Sequence, residues 1–226
     1  LDGLKVPQRE RNIRLSLHGC GPTAIATVSA PIEMEGFTAL EIRDLSLAMQ
    51  PGATLRLSGN VDVRLQNLQI IGRSEERAPW LLVDGARDLR MSGCELAAAA
   101  PASMVVQGIT GVCEISYNQF AGDVAFYGMP PDEFPVRRLV EGLNDGDFEV
   151  PASRGRMVFA HNLLPRLALG EEMLRRLLER NFEGLFHTVT LLDNTFTGDP
   201  VLCAGVFLNC VGNHFTSTQT QDGTLY

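Results

Sequence analysis

The chain has 226 residues, 45% of them apolar, enough for one large domain with a real core or for two small ones. A net charge of -8 and a pI near 5.0 argue against wrapping nucleic acid, which calls for a basic stripe. The longest apolar runs fall far short of the ~20 residues of a membrane span, so no membrane partner is expected.

Only Lys5 of the 19 basic residues is lysine, which reads as the codon bias of a GC-rich, bacterial genome. The opening LDGLKVPQRERN lacks the charged-then-apolar layout of a signal peptide, and compartment stays open. The chain begins without methionine, so a segment of a larger protein is expected. Its five cysteines (Cys20, Cys94, Cys113, Cys203 and Cys210) form no CxxC pair. Buried free thiols are expected in place of a zinc site or disulfide framework.

The first notable stretch is LSLHGCGPT, residues 15–23. It has neither the Lys nor the Ser/Thr of a phosphate loop and opens no helix. Leu15 and Leu17 stand five and three residues before Cys20, as Leu40 and Ile42 stand before Leu45. That spacing recurs down the chain in a six-residue pattern: IRDLSL (42–47), LQNLQI (65–70), MSGCEL (91–96), ISYNQF (115–120), FAHNLL (159–164), LLDNTF (191–196) and CVGNHF (210–215). Its fourth position defines a column: Cys20, Leu45, Leu68, Cys94, Asn118, Asn162, Asn194, Asn213. The steps from Leu45 to Leu68, Cys94 and Asn118 are 23, 26 and 24 residues. A second apolar pair precedes each column member: Ile32/Met34, Leu55/Leu57, Leu81/Val83, and Val105 with Val106 nearby.

An apolar period of two excludes a helical repeat. One such unit cannot bury its inward face alone, so successive coils must share a core. The expectation is an all-β, single-stranded parallel β-solenoid of about eight coils, forming one domain over 1–226. Inward asparagines at strand ends would bond backbone groups freed by the bend and pair with the asparagine one coil away. Asn118, Asn162, Asn194 and Asn213 are read as this structural ladder.

Two steps break the period. GMPPDEFPVRRLVEGLNDGDFEVPASRG forms an insertion over 128–155, with one helical turn expected around 136–143. GEEMLRRLLERNF predicts a short flanking α-helix over about 170–182. Met173, Leu174, Leu177 and Leu178 stand at helical spacing, and Glu171 and Glu172 precede Arg175 and Arg176. Outward positions are polar early (Ser16, His18, Glu41, Arg43, Arg64, Gln66, Arg90, Ser92, Glu114, Ser116) and more apolar late (Val158, Ala160, Thr190, Leu192, Val211). The late wall is expected to be covered by the insertion, the helix or a partner.

The repeat resembles the right-handed parallel β-helix of pectin-lyase-like proteins. IRLSLHGCGPTAI is similar to the first-coil I-x-L-x-G-x-G-x-x-T-x-I found there, and the resemblance spans nearly all of 12–217. It implies a right-handed β-helix; activity does not follow, because the fold hosts lyases, hydrolases, phage fibres and noncatalytic domains.

No catalytic set transfers from such enzymes: there is no Asp-Asp pair, and outward acids alternate with arginines. Glu41–Arg64 and Arg90–Glu114 are expected as ion pairs between neighbouring coils. Asn144-Asp-Gly-Asp147 is an oxygen-rich turn without the regular spacing of a complete calcium loop, which leaves Asp145 and Asp147 as the metal candidates. No histidine has a Ser or Cys partner at triad spacing, and no cofactor is implied. The expected function is a noncatalytic structural or binding domain of a larger bacterial or phage-like protein. Its partner would be a polysaccharide or protein on the wall or the 128–155 insertion, or a second copy of the chain. The alternative is a polysaccharide lyase or glycoside hydrolase using Glu41, Arg64, Arg90, Glu114 and Asp145.

Overall fold

A computed structural model describes residues 4–5, 13–20, 24–73, 79–99, 102–127, 155–169, 188–198, 201–202 and 207–216. The 128–154 part of the insertion, with Asp145 and Asp147, and the helix expected at 170–182 lie outside the described residues. So does Cys203.

The described strands form three parallel sheets of eight strands each. Successive strands enter the first, second and third sheet in turn, so each strand pairs with the strands three before and three after it. This connectivity is compatible with a parallel β-solenoid. The second sheet contains β2 (Arg14–His18), β5 (Ala39–Arg43), β8 (Asp62–Gln66), β11 (Asp88–Ser92), β14 (Val112–Ser116), β17 (Arg156–Ala160), β20 (Thr188–Leu192) and β23 (Phe207–Val211).

Alternation within each five-residue strand dictates the layering. The second and fourth residues point inward, and in-register pairing stacks like on like. Leu40, Val63, Leu89, Cys113, Met157 and Val189 make one inward column; Ile42, Leu65, Met91, Ile115, Phe159 and Leu191 make the next. All twelve are at most 1% exposed. Burying each large side chain contributes roughly 1.5–3 kcal/mol before entropy is counted.

One sequence expectation fails here. The inward pair of β13 (Ala102–Gln107) is Met104 and Val106, not Val105. Met104 aligns with Leu81 and Val106 with Val83, leaving Val105 outward and only half-buried. The run Met-Val-Val carries no alternation of its own, so cross-strand pairing chooses the face.

The cysteines also divide. Cys94 and Cys113 are buried, whereas Cys20 and Cys210 are exposed, contrary to the expectation for those two. Burial raises the Cys94 thiol to about 11 and pushes Cys113 higher still. Cys20 lies in the bend after β2, the outermost strand of its sheet, with no described strand beyond β2.

Candidate functional site

The corner joining the second sheet to the third carries two columns, one on each side of the wall. On the inside, the asparagines form a continuous ladder. Asn118 Oδ1 accepts from the Cys94 backbone N–H at 2.8 Å, and Asn162 Oδ1 accepts from the Asn118 N–H at 3.0 Å. Asn194 and Asn213 repeat this contact at 3.0 Å each. The amide groups also bond one another: Asn118 Nδ2 donates to Asn162 Oδ1 at 2.9 Å, and Asn162 Nδ2 to Asn194 Oδ1 at 3.1 Å. Asn194 Nδ2 continues the series to Asn213 Oδ1 at 2.9 Å, and the amides also reach strand carbonyls, as when Asn162 Nδ2 donates to Ile115 O at 2.9 Å. The side chains of Asn118, Asn162 and Asn194, each buried to 2% exposure or less, are thus satisfied.

Sequence reasoning missed a related residue at the opposite corner. Asn60, 1% exposed, accepts from the Phe37 N–H at 2.9 Å and donates to Met34 O at 3.0 Å. Its signal was present, a lone Asn after Gly59, but no neighbouring coil repeats it.

The outer column of the ladder corner precedes each inward residue by one. Asp44, Asn67, Gly93, Tyr117, His161, Asp193 and Gly212 all have φ between 48° and 67°, the left-handed region. Asp, Asn and Gly suit that conformation; a bulky residue there costs roughly 1–2 kcal/mol. Tyr117 is nevertheless there, at φ 59° and 65% exposed. One face of its ring stacks on His161, with centroids 4.6 Å apart and planes 15° apart. On the other side the column offers Gly93, which has no side chain to cover the ring. His161 Nδ1 lies 3.8 Å from Asp193 Oδ2. Gln119, Leu163 and Thr195 complete an open groove of about 340 Å³ below this aromatic shelf.

The outward face of the second sheet brings together the other four candidates. Asp62 bonds both Arg64, at 2.8 Å, and Arg90, at 3.0 Å; Arg90 and Arg156 both reach Glu114, at 3.5 and 3.3 Å. Glu41 and Arg64 are register partners, but the expected ion pair between them does not form. Arg64 turns along its own strand to Asp62, and Glu41 instead receives the Ser16 hydroxyl at 3.1 Å and lies 4.0 Å from Arg43. A groove of about 520 Å³ runs beside this wall, past Arg14, Glu41, Asp62, Arg64 and Arg87.

Asp88, at the start of β11, is tied in as well: it accepts the Val112 N–H at 2.8 Å and pairs with Arg87 at 2.9 Å. Burial pushes its carboxyl up, but these bonds outweigh burial and hold it below its ordinary value. Late in the sheet, Ala160 is buried, Val158, Thr190 and Leu192 are half-buried, and Val211 is 52% exposed. Among the described residues no group of three His, Cys, Asp or Glu is placed to hold a metal ion. Among them, too, no helix is long and apolar enough to cross a membrane.

Comparison of the chain with protein-family models, with curated proteins and with solved structures gives no match.

Proposed function

We propose that the chain is a noncatalytic binding domain of a larger bacterial or phage-like protein. In this reading it is a right-handed parallel β-helix of about eight coils, similar to the pectin-lyase-like fold, that holds an extended polysaccharide on the Tyr117–His161 shelf. The observation that carries this reading is Tyr117 itself, a bulky side chain kept at a left-handed position with one ring face open. Strain of this kind is retained where it positions a functional group. A sugar ring presents C–H bonds to the negative face of an aromatic. Gln119, Asp193 and Thr195 line the groove beneath and offer donors and acceptors for hydroxyl groups.

The alternative is a lyase or hydrolase working on the wall, and the adjacency of Arg90 and Glu114 favours it. Affinity electrophoresis against acidic and neutral polysaccharides, with and without calcium, separates the two. Tyr117→Asn is expected to weaken binding about tenfold or more while leaving thermal stability unchanged or slightly higher. Polysaccharide turnover that disappears in Glu114→Gln assigns the wall a catalytic role and overturns the noncatalytic reading.

A further inference from the structure

The open face of the Tyr117 ring looks across a coil that contributes no side chain. Gly93 holds the outer corner position there, at φ 63°. One coil further, Asn67 bounds the gap from the opposite side. Its Nδ2 donates to Asp44 Oδ1 at 2.9 Å, and its Oδ1 is turned toward Gly93, where a Cβ would stand 2.6 Å from that oxygen. Among the described residues no donor reaches Asn67 Oδ1. The gap between Asn67 and Tyr117 spans two coil spacings, roughly 10 Å.

Three groups border this gap, and all are electron-rich. The face of the Tyr117 ring is the negative pole of its quadrupole. Asn67 Oδ1 is an acceptor. Glu95, the first residue of β12 (Glu95–Ala99), stands exposed two residues after Gly93 and accepts from Gln69 Nε2 at 3.0 Å, which draws it toward the coil of Asn67. On the neighbouring wall Asp62 and Glu114 are held by arginines, but among the described residues Glu95 has no Lys or Arg partner. The two outer columns of this corner stand one residue before and one after each ladder member from Leu45 to Asn213. They contain Asp44, Glu95 and Asp193 and no Lys or Arg.

We infer that the polysaccharide of the preceding reading is an amino-sugar polymer, with one positively charged amine seated over Gly93, against the Tyr117 face and beside Glu95. The inference rests on that reading and narrows it to a ligand class. An ammonium level with Gly93 is one coil spacing, ~4.8 Å, from the ring, inside the ~6 Å reach of a cation–π contact. Glu95 adds a charge-assisted contact and Asn67 Oδ1 accepts a further N–H or O–H. The net charge of -8 favours the approach of a cationic chain.

Calorimetric titration of the full chain with three oligosaccharides of equal length tests this: N,N,N-trimethylated glucosamine, whose charge does not titrate, N-acetylglucosamine, and a uronate. The trimethylated chain is expected to bind about tenfold more tightly than the N-acetylated one, and the uronate most weakly. Glu95→Gln is expected to remove most of that preference. Gly93→Asn fills the gap with a residue that suits the left-handed backbone, as Asn67 does one coil away, and is expected to weaken binding about tenfold or more at wild-type thermal stability. Binding to all three oligosaccharides alike, or best to the uronate, overturns the inference and leaves the binding domain standing. Wild-type affinity in a folded Gly93→Asn places the ligand elsewhere and overturns it as well. No binding to any glycan removes the reading and the inference together.

Discussion

The same corner is built in two ways along the chain. In the early part the inward position is apolar, Leu45 then Leu68, and the corner's side-chain hydrogen bond lies outside, where Asn67 Nδ2 donates to Asp44 Oδ1 at 2.9 Å. From Asn118 onward the ladder moves inside, and the outer left-handed position passes to Tyr117 and His161. The walls change in parallel, from an Asp62–Arg90–Glu114 lattice to Val158, Thr190 and Leu192. Once the inward side chain satisfies the bend, the outer position is released from that duty and can present a different chemistry. A repeat therefore acquires a candidate binding surface without altering its backbone path.

The comparison breaks most readily at Asn162. Asn162→Ala strands the Asn118 N–H and the Ile115 carbonyl in a dry interior, and is expected to cost about 3 kcal/mol in urea unfolding. Asn67→Ala, on the exposed ladder, is expected to cost about 1 kcal/mol, mostly from the left-handed backbone. Equal losses at the two positions would remove the distinction between inner and outer ladders.

Acid sharpens the contrast next. The folded-state carboxyl of Asp88 is depressed, so its contribution is present above the ordinary unfolded value of ~3.9 and lost as pH falls through the lower folded value. Asp88→Asn should flatten the acid limb of stability against pH, followed by the urea midpoint. An acid limb as steep as the wild type's assigns that loss to other carboxylates. The smallest effect is expected on the wall itself. Arg90→Met removes two half-exposed ion pairs and should change stability by no more than about 0.5 kcal/mol at moderate salt.

Much of the architecture was legible in the residue order. The period-two spacing of Leu40 and Ile42, with Leu45 three residues further on, and its recurrence point to stacked parallel strands, and the repeated asparagine marks the corner. The Tyr117 shelf was not legible, because Asp, Asn, Gly, Tyr and His share neither size nor polarity; only their common left-handed backbone makes them one column. The facing of Met104 and Val106 was hidden inside a uniformly apolar run. The choice of Asp62 over Glu41 as the partner of Arg64 depended on reach across and along strands.

What the sequence by itself determined is the repeat: alternating apolar residues that no single coil can bury must stack, and a polar residue kept at the bend must bond the backbone there. What only the tertiary structure decided is which neighbours meet. Residues 44 positions apart, Asn118 and Asn162, become hydrogen-bonded partners, and Tyr117 comes to lie on His161. Stacking turns the gap between two coils into a contact of ~5 Å, however long the intervening chain.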